Sequence, residues 1–456
     1  MSSREDPGGF EASPTPGAQN RKPPEGFEPP TCSSFGAGVL RLHIRNCRSA
    51  GLSYGGATAR KSSHAIKIPR RLRRAANVKG DSAFRADVER VAGWFYDGRR
   101  FREGTVGWEE DLILEVRPGR ARNPLATGLI IPGLWNAHTH LGDAVVTQEL
   151  TGTLAELVAP PHGLKHRILA KAKDDAVIGA MRRAMATMLR TGTTGFSDFR
   201  EGGLKGLKLM YAAVAAMPLQ GVVLGRPMAL EYDAREVSAI LRASDGIAVS
   251  AYVDWPEDGI QKLAAHVRRE KKMFAIHCSE RIREDVDKVL NLSPTFLVHM
   301  LHATDADLTR CADAAVPIVL CPRSNAFFGM MPDIPRMIRS EVHLLLGTDN
   351  AMINVPSMLR EVEFAYRVAR MNGVATARDI FEMALRGRRL ADPDSSGAIR
   401  VGERADLVVF DLPGGSSGFA SLMRASASDV SLVVSGGRTW PAQSATIPKS
   451  KRRRRS

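Results

Sequence analysis

The sequence predicts an α/β protein built around a (β/α)8 TIM barrel, with a small β-sandwich and two terminal tails. Short apolar runs that end in polar residues recur along the middle of the chain, and helix-like segments separate them. Near-continuous apolar strands that alternate with helices are typical of a parallel sheet covered on both faces, and eight such units predict a closed barrel. The runs are residues 129–140, 193–200, 219–227, 246–254, 273–280, 295–301, 316–325 and 343–350.

Two β-rich pieces flank the barrel region. Residues 85–128 contain short alternating strands with Gly-containing turns, and matching strands occur at 397–412 and 429–440. We therefore expect one composite β-sandwich made from residues 85–128 and 391–445, on either side of a barrel domain at residues 129–390.

The formal net charge of +15 comes from the two ends of the chain. Residues 1–80 hold nine more basic than acidic side chains, the run Lys449–Arg455 adds six, and residues 81–448 are neutral overall. We expect disordered basic tails at residues 1–84 and 446–456, because Pro-, Gly- and Ser-rich composition without apolar periodicity builds no core. The tails keep a nucleic-acid-binding function open, and the neutral central region argues against it.

Composition is typical of a soluble protein. The chain is 44% hydrophobic, no apolar run has the length of a membrane span, and the start of the chain lacks the apolar core of a secretory signal. The five cysteines form no CxxC pair, so reduced thiols and a cytoplasmic location are expected. The stretch GFEPPTC at residues 26–32 is what the T-arm of a tRNA gene would encode, which prompts the further hypothesis that translation starts near residue 80. The start codon would then not be Met, because no Met occurs between Met1 and Met181.

Four candidate metal ligands fall at the predicted carboxyl ends of strands. His138 and His140 end the first run, and residues two apart in a strand point to the same side. His277 lies at the end of the fifth run and Asp349 at the end of the eighth. Because (β/α)8 barrels carry their active sites at the carboxyl ends of the strands, we expect these side chains to converge. Three imidazoles and a carboxylate suit Zn²⁺, and Fe²⁺ or Ni²⁺ fit the same ligand types.

The motifs at these strand ends resemble those of the amidohydrolase superfamily, in the branch of cytosine deaminase, S-adenosylhomocysteine deaminase and chlorohydrolase-like enzymes. The resemblance covers about residues 88–445 and rests on PGLWNAHTHLGDA, HCSE, VHMLHA, CPRSN, GTDN and GERADLVVFD. It implies a metal-bearing barrel with a β-sandwich from both chain ends. Homo-oligomers are frequent in the family, which leaves a second copy of the chain open as a partner.

The resemblance implies that the four side chains named above are the ligands of one divalent metal ion, with Zn²⁺ favoured over Fe²⁺ or Ni²⁺. Two-metal members of the superfamily carry a bridging lysine at the end of strand four, and residues 247–255 contain none. A bound metal lowers the pKa of water from 15.7 toward about 7, which makes hydroxide available at neutral pH.

The resemblance also implies the catalytic residues. Glu280 matches the carboxylate that moves protons, His299 matches the histidine that polarises the substrate, and Asp349 takes the proton of the water. His302, three residues after His299, is the second choice for the polarising role and a candidate substrate contact. The alternatives are a salt-bridged surface carboxylate for Glu280 and a core histidine for His299.

Candidate substrate contacts follow several strands. Arginine forks suit carboxylates and phosphates, which favours an anionic substrate, unless each arginine pairs with a rim acid such as Asp198, Glu201 or Asp254. A tryptophan can stack on a flat ring, and the loop after the first strand is long enough to cover the mouth of the barrel. These candidates are Arg200, Arg226, Arg323, Trp255, Lys165 and His166.

Together these features predict a metal-dependent hydrolase that acts on carbon–nitrogen bonds other than peptide bonds. The favoured reaction is deamination of an amino-substituted heterocycle or nucleoside-like small molecule. The alternative is hydrolysis of a cyclic amide, or release of a non-amino leaving group such as chloride. Release of ammonia separates the two reactions.

Overall fold

The computed structural model describes residues 88–441. The tails predicted at residues 1–84 and 446–456, and the proposed translation start near residue 80, lie outside the described residues. None of the described helices has both the length and the apolar character that crossing a membrane requires.

The described residues form sixteen strands in two sheets. In chain order the strands are β1 Glu89–Tyr96, β2 Phe101–Glu109, β3 Leu112–Arg117, β4 Thr127–Pro132, β5 Leu134–His140, β6 Thr193–Arg200, β7 Gln220–Gly225, β8 Gly246–Val249, β9 Met273–Cys278, β10 Phe296–His299, β11 Ile318–Leu320, β12 Leu344–Leu346, β13 Asp349–Asn350, β14 Leu407–Phe410, β15 Val430–Ser435 and β16 Arg438–Pro441.

Thirteen α-helices lie between or after these strands within the described residues. They are α1 Leu154–Val158, α2 Leu164–Lys171, α3 Asp174–Arg190, α4 Gly203–Val214, α5 Ala234–Ala243, α6 Glu257–Arg269, α7 Val286–Asn291, α8 Asp305–Asp313, α9 Pro322–Phe327, α10 Ile334–Arg339, α11 Met358–Met371, α12 Ala377–Arg386 and α13 Gly418–Leu422. Short 3₁₀ turns occur at Leu141–Val145, Tyr252–Asp254, Gly387–Leu390, Gly415–Ser417 and Ala427–Asp429.

Strands β5 to β13 form the predicted closed barrel. Each pairs in parallel with its neighbour, in the order β5 to β12. The eighth strand has two segments: β12 pairs with β11, and β13 pairs with β5 through Asp349 and Thr139. Gly347 joins the segments, and a Cβ there would lie 2.7 Å from the backbone nitrogen of His138. The close approach that closes the barrel therefore requires glycine.

Both faces of the barrel strands are apolar because both are covered. One face contributes to a cluster inside the barrel that includes Trp135, Phe199 and Phe296. The other face packs against the surrounding helices, through residues such as Phe196 and Ile276. This two-sided burial explains the near-continuous apolar runs in the sequence.

The strands outside the barrel form one mixed seven-stranded sheet, in the order β16-β15-β14-β4-β1-β2-β3. Strands from both ends of the described chain contribute to it, as the fold prediction expects. The sheet has its own apolar cluster, which includes Trp108, Ile130 and Val434. A sandwich would have two layers, each with its own hydrogen-bonded strands. In the structure, hydrogen bonds instead join all seven strands into one continuous sheet.

The run at residues 129–140, predicted as one barrel strand, belongs to both sheets. Its first part lies in β4, which pairs with β1 and β14, and its second part is β5 of the barrel. The chain crosses at Gly133, whose N–H donates to the carbonyl oxygen of Asp406 at 2.9 Å. The barrel therefore begins at Leu134 rather than at residue 129.

A buried arginine stabilises this crossing. Arg388, in the turn after α12, is 6% exposed. Its Nη1 lies 2.7 Å from Asp406 Oδ2, and its Nη2 donates to the carbonyl oxygen of Gly133 at 2.9 Å. The guanidinium group thus joins the barrel, the crossing and the sheet.

Replacing Arg388 with Met should lower the free energy of unfolding by about 3 kcal/mol, because it leaves the buried carboxylate of Asp406 with one partner fewer. Urea unfolding followed by circular dichroism measures the change. The control is Arg367→Met, which removes an ion pair to Glu363 from a side chain that is 70% exposed, and this should cost less than about 1 kcal/mol. Equal losses in both variants would contradict the role assigned to Arg388.

Candidate active site

Polar side chains from four barrel strands meet at the carboxyl end of the barrel. His138 on β5, His277 on β9, His299 on β10 and Asp349 on β13 each offer one atom, and these atoms all lie within 4.8 Å of one another. His140, also on β5, lies beside them, with its ring centroid 4.9 Å from that of His138. The structure thus brings together all four side chains that the sequence predicts as metal ligands.

Asp349 lies closest to the two histidines of β5. Its Oδ1 is 3.2 Å from His138 Nε2 and 3.5 Å from His140 Nε2. The ring of His277 completes the group, with its centroid 5.0 Å from that of His138 and 5.6 Å from that of His140. Three imidazoles and one carboxylate therefore surround one small volume.

Hydrogen bonds fix the orientation of two of these rings. His277 Nδ1 lies 2.9 Å from the carbonyl oxygen of Val249, which only accepts, so this nitrogen carries the proton. His140 Nδ1 lies 2.7 Å from Glu201 Oε1 and donates to it in the same way. In both rings the Nε2 lone pair is left for a metal, an arrangement common among metal-ligating histidines. His138 Nδ1 is buried and has no hydrogen-bond partner among the described residues.

The charge states also fit a metal. Burial lowers the pKa of His138 and His277, and it lowers the pKa of His140 to about 3, so the rings are neutral. Burial works against ionisation of Asp349, but its interactions with His138, the side-chain hydrogen bond first among them, outweigh burial and hold the carboxyl pKa well below its usual value. Neutral imidazoles with an ionised carboxylate are the donor set that Zn²⁺ and similar divalent ions prefer.

Irregular backbone at the strand ends directs these side chains inward. Ala137 belongs to the cluster inside the barrel, yet the ring of the next residue, His138, also lies 4.4 Å from Phe199 of that cluster. The pairing of β5 with β6 shifts register between Asn136 and Thr139, and such shifts re-aim side chains. His299 similarly has a left-handed φ of +77°.

Glu280 and His299 form a second pair in the same cavity. Glu280 Oε1 lies 3.2 Å from His299 Nε2. Burial raises the pKa of Glu280, although the electrostatic interaction with His299 opposes the shift. A carboxyl group with a raised pKa, beside a histidine, is suited to carrying a proton to or from a substrate.

Two hydroxyl and amide side chains that the sequence reasoning missed support this machinery. Ser324 Oγ donates to Asp349 Oδ2 at 2.5 Å, and Asn325 Nδ2 lies 3.2 Å from His299 Nδ1. Both residues lie in the first turn of α9, which follows the seventh barrel strand. Their position in the motif CPRSN, at a strand end like the predicted ligands, is the signal that could have identified them.

A buried ionic cluster lies next to His140. Lys165 Nζ is 3.0 Å from Asp143 Oδ2 and 2.8 Å from Glu201 Oε1, and Arg200 Nη2 is 2.7 Å from Glu201 Oε2. The cluster contains three acidic and three basic side chains, namely Asp143, Asp198, Glu201, Lys165, Arg200 and Arg226.

His140, Asp143 and Glu201 form a second group whose geometry can hold a metal ion. The ammonium group of Lys165, however, lies within hydrogen-bonding distance of both carboxylates. This internal cation supplies the positive charge that a second metal would bring. The expectation of one metal ion stays a prediction.

The predicted substrate contacts do not all line the same cavity. A cavity of about 70 Å³ at the barrel mouth is lined by His140, His277, Glu280, His299 and Asp349. Two of the predicted contacts, Lys165 and Arg226, also line this cavity, together with Arg281, which the sequence reasoning did not single out.

The other predicted contacts do not line this cavity. Arg200 is buried and pairs with Asp198 and Glu201. For this arginine the structure therefore shows the alternative considered above, pairing with acidic residues at the rim. Arg323 Nη1 lies 3.6 Å from Glu361 Oε2 and donates to the carbonyl oxygen of Val355. The side chain of His302 is exposed, and Trp255 and His166 line a second cavity.

Comparison with known proteins agrees with the motifs. The sequence profile of the amidohydrolase family matches residues 129–439. A protein of Methanothermobacter thermautotrophicus named "Putative aminohydrolase" is 32% identical over 359 residues, which cover 72% of this chain and 92% of that relative. A 5'-deoxyadenosine deaminase of the same organism is 27% identical over 393 residues, which cover 75% of this chain and 90% of the relative.

Solved structures show the same fold. An adenosine deaminase of Xanthomonas campestris with bound zinc superposes on this chain with a TM-score of 0.66 at 20% identity. The superposition covers 78% of this chain and 93% of that protein.

The profile match spans the complete barrel and the last strands of the second sheet, and the resemblance inferred from the strand-end motifs is confirmed. The chain belongs to the amidohydrolase family.

Proposed function

We propose that this protein is a metal-dependent aminohydrolase that deaminates an amino-substituted heterocycle. Membership of the amidohydrolase family makes the chain a hydrolase of carbon–nitrogen bonds. The observation that carries the proposal is the meeting of His138, His140, His277 and Asp349 beside the Glu280–His299 pair. Support for an amino leaving group comes from the relatives, which include a 5'-deoxyadenosine deaminase.

The Nε2 atoms of His138, His140 and His277 and the carboxylate of Asp349 would hold one divalent ion, which we propose to be Zn²⁺. When bound, this ion supplies Lewis acidity and makes water a nucleophile at neutral pH. Glu201 would keep His140 in the ligating tautomer through its bond to Nδ1.

Asp349 and Glu280 would divide the proton transfers between them. The ionised carboxylate of Asp349, oriented by Ser324 Oγ, accepts a proton as the water oxygen bonds to the ring carbon. Glu280 delivers a proton to the adjacent ring nitrogen, and the proton taken up by Asp349 passes to the amino group, which departs as ammonia. As the carbonyl group forms, the added oxygen gives up its remaining proton to Glu280, which restores the carboxyl group. His299, 3.2 Å from Glu280, stabilises the charge that develops on the substrate.

The anionic substrate inferred from the arginines has little support in the geometry. Of the three arginines, only Arg226 lines the cavity, and its Nη1 lies 3.6 Å from Glu201 Oε1. Arg281 Nη2 lies 3.4 Å from Asp254 Oδ1. Acidic partners thus already accompany both cations at the mouth.

The double variant His138→Ala with His140→Ala should purify without metal, because it removes two of the four proposed metal ligands, both of which lie on β5. Elemental analysis of the purified protein measures the metal, and the unchanged protein should hold about one ion per chain. The control is His302→Ala, which removes an exposed histidine near the same strand ends and should leave the metal in place. A double variant that still binds metal would contradict the proposed ligand set.

Glu280→Gln should lower kcat for ammonia release at least about 100-fold while the metal remains bound, because the amide cannot transfer a proton. The assay is ammonia release from a panel of aminopurines, aminopyrimidines and adenine nucleosides. The control Glu231→Gln changes an exposed carboxylate outside the cavity and should keep full activity. Turnover without ammonia, from a cyclic amide or a chlorinated ring, would instead establish the alternative hydrolase reaction.

A further inference from the structure

A second and larger cavity adjoins the metal site. It measures about 670 Å³, against about 70 Å³ for the cavity that contains Glu280 and His299. Pro160 and Arg226 line both cavities, so the two share a wall. Small-molecule sites usually measure about 300 to 1,000 Å³. The first cavity alone is far below that range, whereas the second lies within it.

The walls of the second cavity are mainly apolar. Helices α2, α3 and α4 and the loop after β7 contribute Leu169, Val177, Met181, Leu209 and Leu230. Such a lining favours an apolar group, which gains free energy from leaving water.

The charged side chains in this wall already have partners. Lys205 Nζ lies 2.8 Å from Asp174 Oδ1 at the exposed edge. Arg200 and Arg226 both approach Glu201, at 2.7 and 3.6 Å. An anionic or cationic ligand would have to displace one of these partners, whereas an uncharged ligand leaves the pairs intact.

The same segment covers both cavities. Leu154 and Val158 of α1 line the first cavity, Leu169 of α2 lines the second, and Pro160 between them lines both. The two cavities therefore lie side by side under one continuous segment of the chain.

We propose that the second cavity is the subsite for an uncharged, apolar substituent of the substrate. The reacting heterocycle occupies the first cavity, so the inference rests on the proposed function and names its substrate class: an amino-heterocycle with an uncharged apolar arm.

Filling the cavity tests the subsite without relying on catalysis. Ala170 lies on α2 in the cavity wall and is exposed, so Ala170→Trp adds bulk there without disturbing the core. Lys171→Trp adds the same ring at the next, exposed position, which does not line the cavity. Fluorescence titration of the metal-loaded protein with N-phenyl-1-naphthylamine, an uncharged aromatic probe, should give a Kd at least about tenfold weaker for Ala170→Trp only. Equal affinity in both variants would overturn the subsite.

Turnover tests whether the subsite belongs to the substrate. Ala170→Trp should raise KM for 9-benzyladenine at least about tenfold and leave kcat/KM for adenine unchanged, because only the first compound carries an arm. Equal losses for both purines would overturn the assignment. If the unchanged protein releases ammonia from neither purine, the proposed function fails for this ring, and the probe titration still decides the subsite.

Discussion

The pairing of β13 with β5 is the interaction on which the site depends. It closes the barrel, and it places the carboxylate of Asp349 within 3.5 Å of the Nε2 atoms of His138 and His140. These residues are more than two hundred positions apart in the chain, so no local interaction holds them together. The glycine at position 347, which lets the eighth strand approach His138, is as necessary to the site as the donor atoms themselves.

The buried ionic cluster extends this arrangement toward the cover of the barrel. Six charged side chains out of water would be strongly destabilising if they were unpaired, and here acids and bases are equal in number. Glu201 connects the cluster to His140, and Lys165 connects it to α2, which covers the mouth. The orientation of a candidate metal ligand is therefore coupled to the position of the covering segment.

The same cluster explains why arginines are poor guides to the substrate. Arg200 follows a strand end, as a substrate contact would, but its guanidinium group is satisfied by Asp198 and Glu201. Arg323 is likewise held by Glu361. Position after a strand places a side chain near the mouth, and only the distribution of acids around it decides whether its charge is available to a ligand.

The sequence by itself determined the barrel and the candidate donor atoms. Eight two-sided apolar runs predict a covered parallel sheet, and the carboxyl ends of those runs identify His138, His140, His277, Glu280, His299 and Asp349. These inferences depend only on the spacing of apolar residues and on which polar residues follow each apolar run. Both can be read from short stretches of the sequence.

The tertiary structure alone decided how those side chains are oriented and what surrounds them. Strict alternation would direct Ala137 and His138 to opposite faces, and the register shift in β5 brings both inside the barrel. The contacts of Ser324 with Asp349 and of Asn325 with His299, and the second cavity, are likewise visible only after the strands close. Register shifts, left-handed backbone and the pairing of buried charges are settled by contacts between distant segments, and no short stretch of sequence encodes them.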